Sequence, residues 1–251
     1  MTVGAPDWLT ARPIAHRGLH DRAAGRPENT LAAARAAVAG GFAIECDVQL
    51  SADGEAMVFH DAALGRLTTA REAVAERSAA ELGTLKVAGS AETIPTLPAF
   101  LAAVAGVVPV VIEVKSRYDG DLRLATRTAE VAAAYAGPVA LKSFDPQVVA
   151  ALRDLCPATI PRGIVAETTQ DDPAYAALTP SLRRSLSDLL HFAETRPDFL
   201  SWRVDDLPCA PTYLCRLLGR VPVMTWTVRT EEQRARAAAH ADQMVFEGFV
   251  P

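Results

Sequence analysis

The chain is predicted to fold as an α/β protein, a closed (β/α)8 barrel with a short β-hairpin excursion after its second strand. Three observations carry this expectation. Short apolar runs alternate with alanine-rich stretches of helical length, the pattern of βα units that feed a parallel sheet. Eight such runs can be counted, and 251 residues is close to the roughly 250 typical of an eight-unit barrel. Between the second and third runs the rhythm changes, and Asp53-Gly54 sits among alternating apolar residues, a hairpin signal.

The strand cores fall at 13–17, 42–48, 109–115, 139–144, 160–166, 198–204, 221–228 and 243–247. Helices are predicted over 28–39, after Pro27 and closed by Gly40-Gly41, and over 146–155, opened by Asp145-Pro146. Another spans 121–136 and stops at Gly137-Pro138, and a fourth spans 230–240 behind Thr230, with Glu231 and Glu232 in its first turn. Pro173 and Pro180 break the 171–195 region into pieces. A hairpin turn centred on Ala52-Asp53 sets Glu45 opposite His60 and Asp47 opposite Val58, so that His60 returns to the end of the strand carrying both carboxylates.

With 50% hydrophobic and 22% charged residues the chain is of ordinary globular composition, and no linker or repeat divides it, so a single domain over 1–251 is expected. Against 30 Asp and Glu there are 25 Lys and Arg, which lacks the basic excess of a nucleic-acid binder. No apolar run reaches the roughly 18 residues of a membrane span, and the opening MTVGAPDWLTARP lacks the order of a signal peptide, so a cytoplasmic location is expected. Cys46, Cys156, Cys209 and Cys215 form no C-x-x-C pair and read as free thiols.

In a parallel barrel the reacting groups sit where strands end and loops open. The first predicted strand ends in His16-Arg17-Gly18, the second carries Glu45-Cys46-Asp47, and the third carries Glu113-Val114-Lys115-Ser116. Alternation puts Glu45 and Asp47 on one face with Cys46 on the other, and gives Glu113 and Lys115 a shared face. Three carboxylates converging in a barrel mouth repel unless a cation offsets them, and an all-oxygen ligand set favours Mg2+ or Ca2+ over zinc. Lys115 then offers an anionic substrate group a place beside the metal. The same residues also read as a Lys115–Glu113 ion pair with the other carboxylates capping loops.

His16 and His60 each close a strand beside a carboxylate-bearing one. Either alone reads as a hydrogen-bonded structural histidine. As a pair flanking a metal they can hydrolyse a phosphodiester: one neutral imidazole takes a proton from the attacking hydroxyl, while the other, protonated, gives one to the leaving oxygen. The Arg17 guanidinium suits bidentate phosphate binding, or equally an ion pair to the acidic site.

The ordered set AHRG (15–18), PENT (27–30), ECDVQLSADG (45–54), VFHD (58–61), IPTL (94–97), VIEVKS (111–116), KSFDP (142–146) and MTWTV (224–228) resembles the glycerophosphodiester phosphodiesterase family over about residues 12 to 228. Each piece is weak; their joint order and spacing are specific. The 15-residue separation of Glu45 and His60 is also similar to the phosphoinositide-specific phospholipase C barrel, so the wider group is a phospholipase C-like phosphodiesterase superfamily of TIM barrels. The resemblance implies that His16 and His60 are the acid–base pair, that Glu45, Asp47 and Glu113 bind Mg2+ or Ca2+, and that Arg17 and Lys115 hold the phosphate. It implies a small-molecule glycerophosphodiester as substrate, cleaved to sn-glycerol 3-phosphate and an alcohol through attack by water or by the substrate's own glycerol hydroxyl.

Trp226 matches a family tryptophan near the substrate and reads either as a stacking surface or as rim packing. Asn29 reads as helix-start chemistry or as a tie between the first loop and the mouth, Ser143 and Phe144 as pocket wall, and His20 as exposed. Departures from the family are Arg229, where an Asn usually follows WTV, and VFEGFVP, where Glu247 takes the place of an Asp. Only 34 residues lie between His60 and Pro95, little room for the family's larger inserted subdomain. Two further functions use the same residues. A lysophospholipase D-type phosphodiesterase acting on lipid head groups calls for a larger apolar mouth, and a non-catalytic barrel that binds a phosphorylated metabolite needs no acid–base pair.

Overall fold

The computed structural model describes residues 5–171 and 173–251. Its strands are β1 (Ile14–Ala15), β2 (Ala43–Leu50), β3 (Ala56–Val58), β4 (Val110–Val114), β5 (Val139–Ser143), β6 (Arg162–Ala166), β7 (Phe199–Arg203), β8 (Val223–Val228) and β9 (Gln243–Phe246). All but β3 run parallel in the order β1-β2-β4-β5-β6-β7-β8-β9, and the sheet closes because Ile14 pairs with Ala43 on one side and Val245 on the other. The eight predicted runs are these eight parallel strands.

The helices are α1 (Leu31–Gly40), α2 (Ala79–Leu82), α3 (Leu97–Val104), α4 (Arg123–Ala134), α5 (Pro146–Leu155), α6 (Pro180–Ser187), α7 (Phe192–Thr195), α8 (Ala210–Leu214) and α9 (Glu231–His240). Side-chain caps start them: Thr30, Thr96, Asp145, Thr179 and Thr230 accept from backbone N–H groups at the mouths of α1, α3, α5, α6 and α9. The helix expected from residue 28 begins at 31, because Asn29 sits at a φ of 58° and Thr30, not Asn29, is the cap. In the broken region, a 3-10 turn at Pro173–Ala177 precedes α6, whose first residue is Pro180.

Strand parity divides the core into two layers. Ile44, Cys46, Val48, Val110, Ile112, Val114 and Leu141 point outward against Ala34, Leu101, Leu124 and Leu152 of the helices. The alternate positions Ile14, Ala43, Val111, Ala140, Phe199, Met224 and Val245 fill the barrel, with Leu9 packing beneath them from the turn Asp7–Leu9. Two residues further along three of these strands, the inward positions are Glu45, Glu113 and Lys142. The apolar interior therefore ends in a charged layer at the C-terminal mouth.

The hairpin forms one residue out of the expected register. Val48 faces Val58 and Leu50 faces Ala56, so Glu45 does not lie opposite His60. The cause is a three-residue loop, Ala52-Asp53-Gly54, rather than a two-residue turn. The Ser51 N–H donates to the Glu55 carbonyl at 2.9 Å, and Gly54 takes the left-handed φ of 86° that such a loop needs. The segment from His60 to Pro95 adds a satellite core of its own, with Met57, Phe59, Leu64, Val74, Leu82, Val87 and Ile94 buried together beside the barrel. Among the described residues no helix is long and apolar enough to cross a membrane.

Gly163 on β6 faces the ring of Phe199, which is fully buried on β7, and a Cβ built there overlaps that ring. Gly163→Ala is expected to destabilise the barrel by about 1–3 kcal/mol, the usual cost of overpacking, read as a lower urea midpoint with unchanged slope.

Candidate active site

A cavity of about 640 Å3 opens at the C-terminal ends of the strands, lined by His16, Arg17, Asp47, His60, Glu113, Lys115 and Trp226 among others. Every proposed site residue except Glu45 lines it. Glu45 lies just beneath, 1% exposed, bonded upward to Arg17.

Glu45, Asp47 and Glu113 each offer a carboxylate oxygen within 4.8 Å of the others, and all three are buried. Asp47 on β2 is level with Glu113 on β4, and Glu113 is level with Lys142 on β5. Lys115 contacts Asp47 Oδ1 at 2.8 Å and also pairs with Glu113. The Lys142 Nζ, 2% exposed, lies 3.1 Å from Glu45 and 3.3 Å from Glu113. Burial alone would raise the Asp47 carboxyl, but Lys115, His60 and Arg17 outweigh it and hold Asp47 well below the usual carboxylate range. Burial pulls the Lys115 and Lys142 ammonium groups down and the surrounding carboxylates more than offset it, while the same two lysines hold the Glu113 carboxyl down to about 2 against its own burial. The repulsion that pointed to a metal is thus already offset by Lys115, Lys142 and Arg17. The donor set still fits a hard divalent cation: three anionic oxygens, no nitrogen or sulfur, and a spacing one ion can bridge.

The imidazoles border this cluster, with His16 Nε2 4.0 Å from Glu45 Oε2, and each is held by a further carboxylate. His16 Nδ1 lies 2.6 Å from Glu247 Oε2, and His60 Nδ1 lies 2.7 Å from Asp61 Oδ1. An ionised carboxylate only accepts, so both rings donate from Nδ1, and Nε2 is the nitrogen left for other chemistry. Glu247 is lowered to about 2: burial would raise it, and the His16 bond with the charges of His16 and Arg229 overcomes that. Glu247 therefore stands where the family's Asp was expected, and Arg229 completes the same cluster at 2.9 Å. His20, expected to be exposed, is half-buried with Nε2 3.8 Å from Glu247.

Arg17 has a φ of 56°, which turns the chain so that its N–H donates to Glu45 Oε2 at 3.1 Å while its guanidinium binds Glu28 at 2.6 Å and lies 3.4 Å from Asp47. Both expectations for Asn29 meet here, and the tie prevails. Its Nδ2 donates to Asp47 Oδ2 at 2.9 Å and its Oδ1 accepts the Asp47 N–H at 3.2 Å. Trp226 donates to the Ser201 carbonyl at 3.0 Å and meets Phe144 edge-on with ring centres 5.6 Å apart, so the indole is fixed as it lines the cavity. Ser143 is no wall residue; fully buried, it donates to the Val114 carbonyl at 2.7 Å and ties β5 to β4.

Sequence reasoning gave no role to Lys142, Asp61 or Glu28. The signal for Lys142 was available, a lysine at an inward position of an otherwise apolar strand. Asp61 and Glu28 lie in the quoted segments VFHD and PENT, but their roles depend on Arg66, which joins the two only in the folded chain.

A closed (β/α)8 barrel with a charged cavity at its C-terminal mouth is the class that fold and site define. The chain matches the Glycerophosphoryl diester phosphodiesterase family over residues 16–247, and it belongs to that family. It is similar in fold to a phosphodiesterase from Oleispira antarctica, solved in complex with the product sn-glycerol-3-phosphate, with a TM-score of 0.74 and 23% identity over 95% of this chain and 94% of that one. A glycerophosphodiester phosphodiesterase from Thermotoga maritima gives a TM-score of 0.70 and 22% identity, covering 93% and 92%. A Mycobacterium tuberculosis H37Rv protein named "Probable glycerophosphodiester phosphodiesterase 1" is 40% identical over 85 residues, which is 33% of this chain and only 30% of that relative's length.

Replacing Asn29 by Ala leaves the buried Asp47 N–H and carboxylate each short of a partner. The expected loss is about 1–3 kcal/mol, measured by urea unfolding.

Proposed function

We propose that the protein hydrolyses glycerophosphodiesters to sn-glycerol 3-phosphate and an alcohol, with divalent-metal assistance. The observation that carries this reading is the arrangement in one cavity of two imidazoles, each held at Nδ1 by a carboxylate, around a three-carboxylate cluster with Arg17 and Lys115 beside it. Family membership supports the diester chemistry, and the product held by the Oleispira antarctica enzyme supports the glycerol 3-phosphate end.

Glu45, Asp47 and Glu113 would hold Mg2+ or Ca2+, which when bound supplies positive charge for the phosphoryl oxygens. Arg17, anchored through Glu28, presents a planar cation to the phosphate, and Lys115 a point charge. One histidine accepts at Nε2 the proton of the attacking hydroxyl, from water or from the substrate's glycerol. The other donates from Nε2 to the leaving alcohol. Glu247 and Asp61 fix the two rings for this and stabilise each imidazolium as it forms. Trp226 and Phe144 offer an apolar face to the carbon frame of the substrate. The lining is dominated by charged side chains, among them Glu167, Asp171, Arg203, Asp205 and Arg229, which favours a water-soluble diester over a lipid head group still carrying its chains.

The test is release of glycerol 3-phosphate from glycerophosphocholine and glycerophosphoethanolamine by EDTA-treated protein, with and without added Mg2+ or Ca2+. Cation-restored release is expected; no release with either cation from folded protein would overturn the reading. His16→Ala and His60→Ala should each lower turnover by about 100- to 10,000-fold, the range for loss of a general acid or base, while leaving metal binding intact. Near-normal turnover in both variants would remove the acid–base assignment. Glu45→Gln should raise the cation concentration needed for half-maximal activity; an unchanged dependence would take Glu45 out of the ligand set.

A further inference from the structure

The short segment after His60 does more than cover the barrel edge. Arg66, in the 3-10 turn Leu64–Arg66, stands between two carboxylates from different loops, Asp61 after β3 and Glu28 after β1. Its Nε donates to Asp61 Oδ2 at 2.6 Å and its Nη2 to Asp61 Oδ1 at 3.0 Å. Toward the other side, Nη1 donates to Glu28 Oε2 at 3.0 Å and Nη2 to Glu28 Oε1 at 2.8 Å. Both carboxylates are gripped in the two-pronged geometry that only a guanidinium provides. Each of them passes the constraint on: Asp61 Oδ1 holds His60 Nδ1 at 2.7 Å, and Glu28 Oε1 holds Arg17 Nη1 at 2.6 Å.

We propose that Arg66 is a positioning residue that locks the His60 ring and the Arg17 guanidinium to one another through Asp61 and Glu28, so that the proton-transfer group and the phosphate-binding group are set as a unit. The proposal rests on the roles given to His60 and Arg17 above. Packing does not account for Arg66, whose side chain is 45% exposed. Charge balance alone does not need this geometry either, since Asp61 and Glu28 already face His60 and Arg17. What the guanidinium adds is direction. It fixes the plane of both carboxylates, and with them the one ring hydrogen bond that His60 makes among the described residues and one of the bonds that orient Arg17. A second tie runs nearby from the same segment, where Glu92 Oε2 accepts the Ala32 N–H at 2.9 Å, so the segment is held against the first loop without Arg66. Loss of Arg66 should therefore loosen the two reacting groups and not the segment.

The experiment compares wild type, Arg66→Ala and Arg66→Lys in steady-state hydrolysis of glycerophosphocholine, with thermal unfolding of each and nitrogen-15 spectra of histidine-labelled protein. Arg66→Ala is expected to lower kcat and raise KM together, for a fall in kcat/KM of roughly 10- to 100-fold, the scale of a misplaced or unsupported reacting group. Arg66→Lys, one point charge in place of two forks, should recover only part of this. The His60 ring should pass from a single Nδ1-protonated form to a mixture of tautomers in Arg66→Ala while the unfolding temperature stays near that of wild type. Combining Arg66→Ala with Asp61→Asn should cost less than the product of the two single effects, because the constraint passes through Asp61. Kinetic constants within twofold of wild type for Arg66→Ala, full recovery with lysine, or strictly multiplicative effects would each overturn the proposal. If wild type itself releases no glycerol 3-phosphate, the functional reading fails, and an unchanged His60 tautomer in Arg66→Ala would separately defeat the positioning role.

Discussion

The structure depends on keeping six charges in a place where few should survive. Glu45, Asp47 and Glu113 are buried at the top of the barrel interior, and three anions so close together are stable only because Lys115, Lys142 and Arg17 interleave with them. Apart from Lys115–Glu113, two residues apart in the chain, these contacts join different strands or a strand and a loop, so the full set forms only when the barrel is closed in this register. Removing one partner of such a set leaves a buried unpaired charge, which costs about 3–5 kcal/mol where it has been measured. The apolar layer of Val111, Ala140, Phe199 and Met224 below provides the rigid floor on which these charges stand.

From that cluster the constraints spread outward in order of burial. Asn29 fastens the first loop to Asp47, Arg17 caps Glu45 with its own N–H, and His16 lies between Glu45 and Glu247, bonded to the latter through Nδ1. The hairpin carries His60 to the rim, where Asp61 receives it. Deep positions are thus held by strand geometry and buried ion pairs. Rim positions are held by side-chain carboxylates, Glu247 at His16 and Asp61 at His60.

The positions where this chain departs from its family resemblance are consistent with that layering. Glu247 and Arg229 lie at the rim and compensate each other, one binding His16 and the other binding Glu247. The shortened segment between His60 and Pro95 keeps a small core of its own and still places a side chain against both Asp61 and Glu28.

Strand number, the helix starts at Asp145-Pro146 and Thr230, and the shared faces of Glu45 with Asp47 and of Glu113 with Lys115 were legible in the sequence, because they follow from local rules: alternation along a strand, caps at helix mouths, and Pro or Gly at boundaries. The joint spacing of the motifs also sufficed for the family. The hairpin register was not legible, since choosing a three-residue loop over a two-residue one depends on whether Ser51 and Glu55 pair. Nor was the role of Asn29, which depends on where Asp47 lies in space. Lys142, Glu247 and Glu28 acquired partners only when strands and loops far apart in the chain met at the barrel mouth. Local periodicity determines which side chains face inward. Which of them neutralise one another is decided by closure, because electrostatic pairing acts between groups far apart in the chain.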